Sequence, residues 1–192
     1  MTKTENFEQV EVTSAQQLRD WLEANHAQSE SVWLVTYKKH TGNKYVSTQE
    51  ILDEVLCFGW IDGIRRKLDA DRTMQLIAPR QTQHWAKTYK DRVARLEQAG
   101  RMHPAGLNVI AASKRSGLWN FMDDVDALIK PDDLVAALAA HPGAADYFEA
   151  FPDASKRNIL RWIKLAKQPA TRAKRIEKTA VLAAQNMKIP GT

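Results

Sequence analysis

The chain has 192 residues, of which 44% are hydrophobic and 27% charged, so it can form a folded core. Its formal net charge is +5, and no stretch approaches the roughly 18 consecutive apolar residues that a membrane-spanning helix needs. The polar segment Met1–Glu11 lacks the basic and apolar regions of a secretory signal, and the single Cys57 cannot form an internal disulfide, so we expect a cytoplasmic protein.

A helix and a strand are the first elements predicted along the chain. Thr13 or Ser14 can cap a helix that ends near Asn25. The run Ser31–Lys38 consists largely of β-branched and aromatic residues, which is typical of a strand covered on both faces.

Turn chemistry and a second helix follow. Lys39–Asn43 predicts a turn, and Tyr45–Val46 predicts a short returning strand. Ser47 and Glu50 fit a capping box, in which each side chain bonds the backbone N–H of the other residue. The helix behind them has apolar residues at a spacing of about 3.6 and is expected to end at Gly59.

The next segment predicts a β-hairpin. Two strands, Trp60–Leu68 and Arg72–Ala78, are joined by the turn residues Asp69–Asp71, and Pro79 ends the second strand.

The pattern is helical from Trp85 to the end of the chain. Successive helices are punctuated by Gly and Pro and interrupted by an acidic linker over Asp123–Lys130. The last two helices are predicted over Ser155–Lys167 and Thr171–Met187.

Strands followed by helices indicate an α+β fold. We predict a small, mainly antiparallel sheet with helices, followed by an all-helical C-terminal half. The predicted domains are an α+β core over residues 1–128 and a helical module over residues 129–192.

Positive charge is concentrated in two blocks of the sequence. Residues 60–101 hold 10 Lys and Arg against 5 Asp and Glu, and residues 150–192 hold 10 against 2. Such blocks attract nucleic acid, acidic protein partners or anionic small molecules, and they also keep a protein soluble.

The most distinctive motif is Cys57–Gly63, with the sequence CFGWIDG. Four further segments accompany it in a fixed order: Val32–Gly42, Pro79–Val93, Gly100–Gly106 and Arg161–Ile176. On these five segments the chain resembles the YdeI/OmpD-associated family, also described as bacteriocin-protection proteins, over about residues 14–186. The resemblance implies that the C-terminal helices form an OmdA-like module.

The family resemblance implies a role in resistance to bacteriocins or antimicrobial peptides, or an association with an outer-membrane porin. It implies no catalytic mechanism. Where relatives tend to have Trp-Ser-Lys and a following Asn, this chain has Trp85-Ala86-Lys87 and Tyr89. If those polar groups contact a ligand in relatives, the contact is altered or lost here.

We predict a ligand pocket between the CFGWIDG strand and the segment Pro79–Arg92. Trp60 could stack on a planar ligand, and Asp62 could accept hydrogen bonds from nearby arginines. The candidate ligand-binding residues are Trp60, Asp62, Gly63, Arg80, Trp85, Lys87 and Arg92. The competing interpretation is a packed strand in which Asp62 holds a turn.

The sequence contains no motif for metal or cofactor binding. Its five histidines are scattered, no His pair is four residues apart, and no phosphate-binding glycine loop occurs. Cys57 lies at the apolar end of a predicted helix and is expected to be a buried structural residue. We therefore predict no metal, no cofactor and no catalytic residue.

The leading hypothesis is a non-enzymatic binding protein in stress or antimicrobial protection. A second is binding of nucleic acid or another polyanion through the basic blocks. A third is an enzyme acting on an anionic small molecule, with Asp62 or a histidine as general acid or base.

Overall fold

The computed structural model describes residues 6–189, so the part of the N-terminal prediction that concerns residues 1–5 lies outside the described residues. By its internal contacts the chain divides into two compact units between Asn120 and Phe121. The domains predicted from the sequence, residues 1–128 and 129–192, stay a prediction.

The first unit combines a sheet with helices, as the α+β prediction required. Its strands are β1 (Gln9–Glu11), β2 (Val32–Tyr37), β3 (Trp60–Lys67) and β4 (Arg72–Pro79). Its helices are α1 (Ala15–Asn25), α2 (Thr48–Cys57), α3 (Lys87–Gln98) and α4 (Pro104–Arg115), with a short 3-10 segment at Lys39–Lys44.

The four strands form one sheet in the order β1-β2-β4-β3. The pairs β2–β4 and β4–β3 are antiparallel, and only β1, which the sequence did not predict, pairs in parallel with its neighbour β2. The mainly antiparallel sheet is thus confirmed. β3 forms one edge of the sheet, and its residues from Gly63 to Lys67 are exposed.

The core of the first unit lies where the sheet meets the helices. β2 is buried along almost its whole length, which confirms the prediction of a strand covered on both faces. Val32 and Leu34 of this strand pack in one cluster with apolar residues of α1, α2, α3 and α4. Burial of each large aliphatic side chain contributes about 1.5–3 kcal/mol of transfer free energy.

Two glycines allow α2 and α4 to approach closely. Gly59 follows α2 with φ of 75°, and a Cβ there would lie 2.7 Å from Cγ2 of Val109. At Gly106, a Cβ would lie 2.2 Å from the carbonyl oxygen of Cys57. Side chains at either position would push α4 away from the end of α2, so the CFGWIDG turn depends on glycine at its third position.

Local signals of the sequence are confirmed at α1 and α2. Ser14 caps α1 by accepting a hydrogen bond from the Gln17 N–H. At α2 both bonds of the predicted capping box between Ser47 and Glu50 are present.

The predicted strand at Tyr45–Val46 is wrong. The Tyr45 N–H donates to the Gly42 carbonyl oxygen at 3.1 Å and ends the 3-10 segment, and the extended backbone that follows forms no strand. Tyr45 makes only an isolated bridge to Tyr37.

The second unit is helical throughout the described residues. Its helices are α5 (Asp123–Asp126), α6 (Asp132–Ala140), α7 (Ala144–Ala150), α8 (Asp153–Lys164) and α9 (Pro169–Ala184). The helical C-terminal half is confirmed. The interpretation of Asp123–Lys130 as a linker is wrong at its start, because α5 forms there and buries Val125 in the core.

The second unit has its own apolar core. Leu134 of α6, Phe148 of α7, Ile159 of α8 and Ala180 of α9 are at most 1% exposed and belong to one cluster. Across residues 6–189, none of the helices combines the length and the apolarity needed to cross a membrane.

Candidate functional site

A buried arginine lies where β4 ends. Arg80 follows Pro79, and its backbone N–H donates to the carbonyl oxygen of Gly59 at 3.0 Å. Its side chain continues into the protein, so that the residue is only 5% exposed. The turn of the CFGWIDG motif therefore fixes the backbone from which this guanidinium extends.

Aromatic rings and backbone carbonyls surround the Arg80 guanidinium. Its central carbon lies 3.9 Å from the ring centroid of Trp85 and 5.4 Å from that of Tyr89. Nη1 donates to the carbonyl oxygens of Gln83 and His84, both at 3.3 Å. Nε and Nη2 are buried and have no hydrogen-bond partner. A buried arginine normally forms more hydrogen bonds than these two, because burial removes its five N–H donors from water.

Asp62 and Tyr89 join β3 to α3 next to Arg80. The Tyr89 hydroxyl donates to Oδ1 of Asp62 at 2.5 Å, and Gln75 Nε2 donates to Oδ2 at 3.2 Å. Arg65 Nη2 donates in turn to Oε1 of Gln75 at 2.7 Å. Asp62 therefore accepts from Tyr89 and Gln75 rather than from the arginines that the sequence suggested.

Burial determines the electrostatics of this cluster. It lowers the pKa of Arg80 to about 10, while the negative charge of Asp62 acts in the opposite direction. Burial and the hydrogen bond to Asp62 raise the pKa of Tyr89 to about 12. At pH 7 the guanidinium of Arg80 is therefore charged and the phenol of Tyr89 is neutral.

The remaining predicted residues lie apart from the guanidinium of Arg80. Trp60 is 1% exposed, donates from Nε1 to the His26 carbonyl oxygen at 3.1 Å, and packs edge-on against Trp21. Trp60 is thus a core anchor of β3. Gly63 is exposed on β3, beside a register shift between Asp62 and Arg65.

Lys87 and Arg92 form ion pairs and hydrogen bonds with residues outside the Arg80 cluster. The Lys87 ammonium pairs with Asp91 at 2.8 Å on the exposed face of α3. Arg92 bonds the carboxylate of Asp53 and the side chain of Gln49 on α2. The structure therefore brings Asp62, Arg80 and Trp85 together, whereas Lys87 and Arg92 lie in other ion pairs.

The candidate residues predicted from the sequence left out three members of the cluster: Tyr89, Gln75 and Trp119. Gln75 lies on the buried face of β4 between Thr73 and Ile77, and a polar residue at a core position of an alternating strand is a usable signal. Trp119, whose ring centroid lies 4.9 Å from that of Trp85, follows α4 and carries no such signal.

Cys57 and the histidines offer no metal site among the described residues. Cys57 is fully buried, as expected, and burial raises the pKa of its thiol. A thiol in this state is a poor nucleophile at neutral pH.

The fold and the cluster define an α+β protein with a buried arginine that no carboxylate of the described residues contacts directly. Residues 10–109, just over half of the chain, match the family described as "Domain of unknown function (DUF8412)", and the chain belongs to that family. Residues 127–186 match the family described as "Bacteriocin-protection, YdeI or OmpD-Associated", which confirms the resemblance over that segment. No curated protein and no solved structure matches the chain.

Proposed function

We propose that this chain is a non-enzymatic binding protein whose ligand site is centred on Arg80, between β3 and the segment that begins at Pro79. The observation that supports the proposal is the buried guanidinium, held by Trp85 and Tyr89 beside Asp62, with two nitrogens left without a partner. Buried polar groups are almost always hydrogen-bonded, and exceptions concentrate at functional sites.

Binding fits this cluster better than catalysis. Asp62, the candidate general base, is held by hydrogen bonds from Tyr89 and Gln75. The raised pKa of Tyr89 disfavours a phenolate at neutral pH. The unpartnered atoms are donors, which suit the recognition of a ligand that carries acceptor oxygens.

The proposed biological role is protection against bacteriocins, antimicrobial peptides or related stress. It is supported by the description of the family that residues 127–186 match. A cytoplasmic location belongs to the same proposal, since Cys57 is a free thiol.

Complementation of a strain that lacks the protein tests this function. Cells with the natural chain should survive challenge by a panel of antimicrobial peptides, and cells with Arg80→Met should die like the deletion strain, because the charge is lost. Arg115→Met, which removes an exposed arginine of α4, is the matched control and should protect. Full protection by a folded Arg80→Met chain would refute the Arg80 site.

A second candidate function, binding of a polyanion, is favoured by the exposed edge strand. Arg65, Arg66 and Lys67 follow one another on the exposed part of β3. Arg65 and Lys67 lie on one face of the strand, and Arg66 lies on the other, over the Trp33 ring. All three are exposed and can contact phosphates without burial.

Fluorescence anisotropy with a labelled single strand and a labelled duplex at several salt concentrations tests the polyanion function. If β3 binds nucleic acid, affinity should fall steeply with salt, because each phosphate contact releases counterions. Charge reversal by Arg66→Glu with Lys67→Glu should abolish the binding. Flat or absent binding at low salt would remove this candidate.

A further inference from the structure

All unpartnered buried side-chain atoms found among the described residues are hydrogen-bond donors, and all belong to one cluster. They are Nε and Nη2 of Arg80 and Nε1 of Trp85. Each loses its hydration on burial without a replacement bond, which destabilises the protein. Three donors without an acceptor point to a ligand that supplies oxygen atoms.

The position of the two free Arg80 nitrogens specifies the shape of that ligand. In a guanidinium, Nε–H and one N–H of Nη2 point in the same direction and form a fork that matches two oxygens of one planar anion. The other edge of Arg80 is occupied, because Nη1 donates to the carbonyl oxygens of Gln83 and His84. The unoccupied edge is thus the one suited to bidentate binding.

The charge of the cluster selects among anions. Arg80 has no ion pair with a carboxylate of the described residues, while Asp62 is close enough to act on it electrostatically. A monoanion would neutralise Arg80, which is the only buried cation among the described residues. A phosphate dianion would bring a second negative charge to the same buried guanidinium, and Arg65, the other cation of this network, is exposed on β3.

The aromatic rings around Arg80 favour a ligand with an apolar body. Trp85 is 1% exposed, and its ring lies against both the Arg80 guanidinium and the ring of Trp119. The ring of Tyr89 is the second aromatic ring in contact with the Arg80 guanidinium. Aromatic rings packed around a buried cation suit a carboxylate that is carried on an apolar or aromatic group.

We propose that the Arg80 cluster binds an organic monocarboxylate, with its two oxygens on Nε and Nη2 of Arg80. This inference deepens the proposed function, since it rests on the same site and names the class of ligand. Arg80 and Trp85 are buried, so the ligand enters by displacement of a neighbouring segment. Residues 81–84 belong to neither a helix nor a strand and include the exposed Gln81 and Thr82. Displacing them breaks no helix or sheet ladder, although it releases the two bonds that Nη1 of Arg80 donates to Gln83 and His84.

Titration of the full chain with benzoate, acetate and inorganic phosphate at pH 7 tests the inference, with tryptophan fluorescence and calorimetry as readouts. Benzoate should saturate one site and raise the melting temperature, while phosphate should bind more weakly. Arg80→Lys keeps the charge and removes the fork, so it should weaken benzoate binding by about tenfold or more. Arg115→Met, which removes an exposed arginine at the end of α4, should bind like the natural chain.

The outcomes separate the ligand class from the proposed function. Phosphate binding that depends on Arg80 and exceeds benzoate binding would overturn the carboxylate inference and leave the binding function intact. Absence of any benzoate site would overturn the inference as well, whatever the survival assay shows. Benzoate binding that is unchanged in both Arg80→Lys and Trp85→Phe would place the carboxylate elsewhere and also overturn it.

Discussion

A histidine in the first unit links helix capping to pH. The Ala105 N–H donates to Nδ1 of His103 at 3.2 Å, so this ring nitrogen caps α4 only while it carries no proton. The ring stacks on Phe58, with centroids 4.6 Å apart, and lies 4.7 Å from the ring of His26. Burial and His26 lower the pKa of His103, and Arg19 acts in the same direction, while Glu23 opposes them.

The stability of the first unit should therefore fall in mild acid. Because the pKa of His103 is lower in the folded than in the unfolded state, the unfolded chain binds more protons as pH falls below about 6.5, and unfolding becomes easier. Urea unfolding at pH 7.5 and 5.5 should show this loss. His103→Asn keeps a capping oxygen that does not titrate, and should reduce the pH dependence.

His103→Ala is the matched control for the capping bond. It removes the acceptor at every pH, so its free energy of unfolding should already be lower at pH 7.5 and should change less toward pH 5.5. A natural chain that is equally stable at both values would contradict this account of His103.

Single residues of the candidate site differed in how far the sequence could predict them. Arg80 and Asp62 were found because they stand in a distinctive motif context. The bond between Asp62 and Tyr89 joins residues 27 positions apart, and no local pattern encodes it. The burial of Trp60 could not be predicted from the sequence either. A tryptophan between two glycines is equally suited to anchor a core and to stack on a ligand at the surface.

At the scale of elements, two buried carboxylates of α2 hold neighbouring segments together. Asp53 accepts from Arg92 and Arg95 of α3. Glu54 is 3% exposed and accepts from Arg19 of α1 and from Arg101, which follows α3. The helices around α2 are thus joined by charged hydrogen bonds as well as by apolar contacts.

Glu54→Gln should destabilise the first unit. Removing one partner of a fully buried ion pair costs about 3–5 kcal/mol, but Arg19 and Arg101 are partly exposed and can regain water, so we expect about 1–3 kcal/mol. Chemical denaturation measures the change. Glu23→Gln, in an exposed pair with Arg19, should change the stability by less than about 0.5 kcal/mol. Equal effects of the two substitutions would show that burial of Glu54 is unimportant.

Elements with local signals were predicted well and elements that depend on distant contacts were not. The capping box of α2 and the turn between β3 and β4 lie within a few residues of sequence, and both are present. β1 has only three residues and exists because it pairs with β2 across the intervening α1. The sequence of α5 is typical of an acidic linker. The helix belongs to a core because Val125 is buried, and that burial depends on contacts with distant residues.

At the scale of the whole molecule, the separate core of the second unit predicts independent folding. A fragment of residues 121–192 should melt cooperatively in a circular-dichroism experiment, because Met122 and Val125 complete its core. A fragment of residues 129–192 lacks both side chains and should be less stable by at least about 2 kcal/mol. Equal stability of the fragments would support the boundary predicted from sequence, and a non-cooperative melt of both would refute independence.

The sheet of the first unit ends on one side at β1, only three residues long, and on the other at the exposed β3. An open strand edge offers backbone groups to any second chain that can align with it. Two copies that approach through β3 would bring Arg65, Arg66 and Lys67 against the same residues of the other copy. Repulsion between these positive charges opposes edge-to-edge pairing of two copies. A polyanion that neutralised the charges of β3 would therefore also favour self-association through this edge.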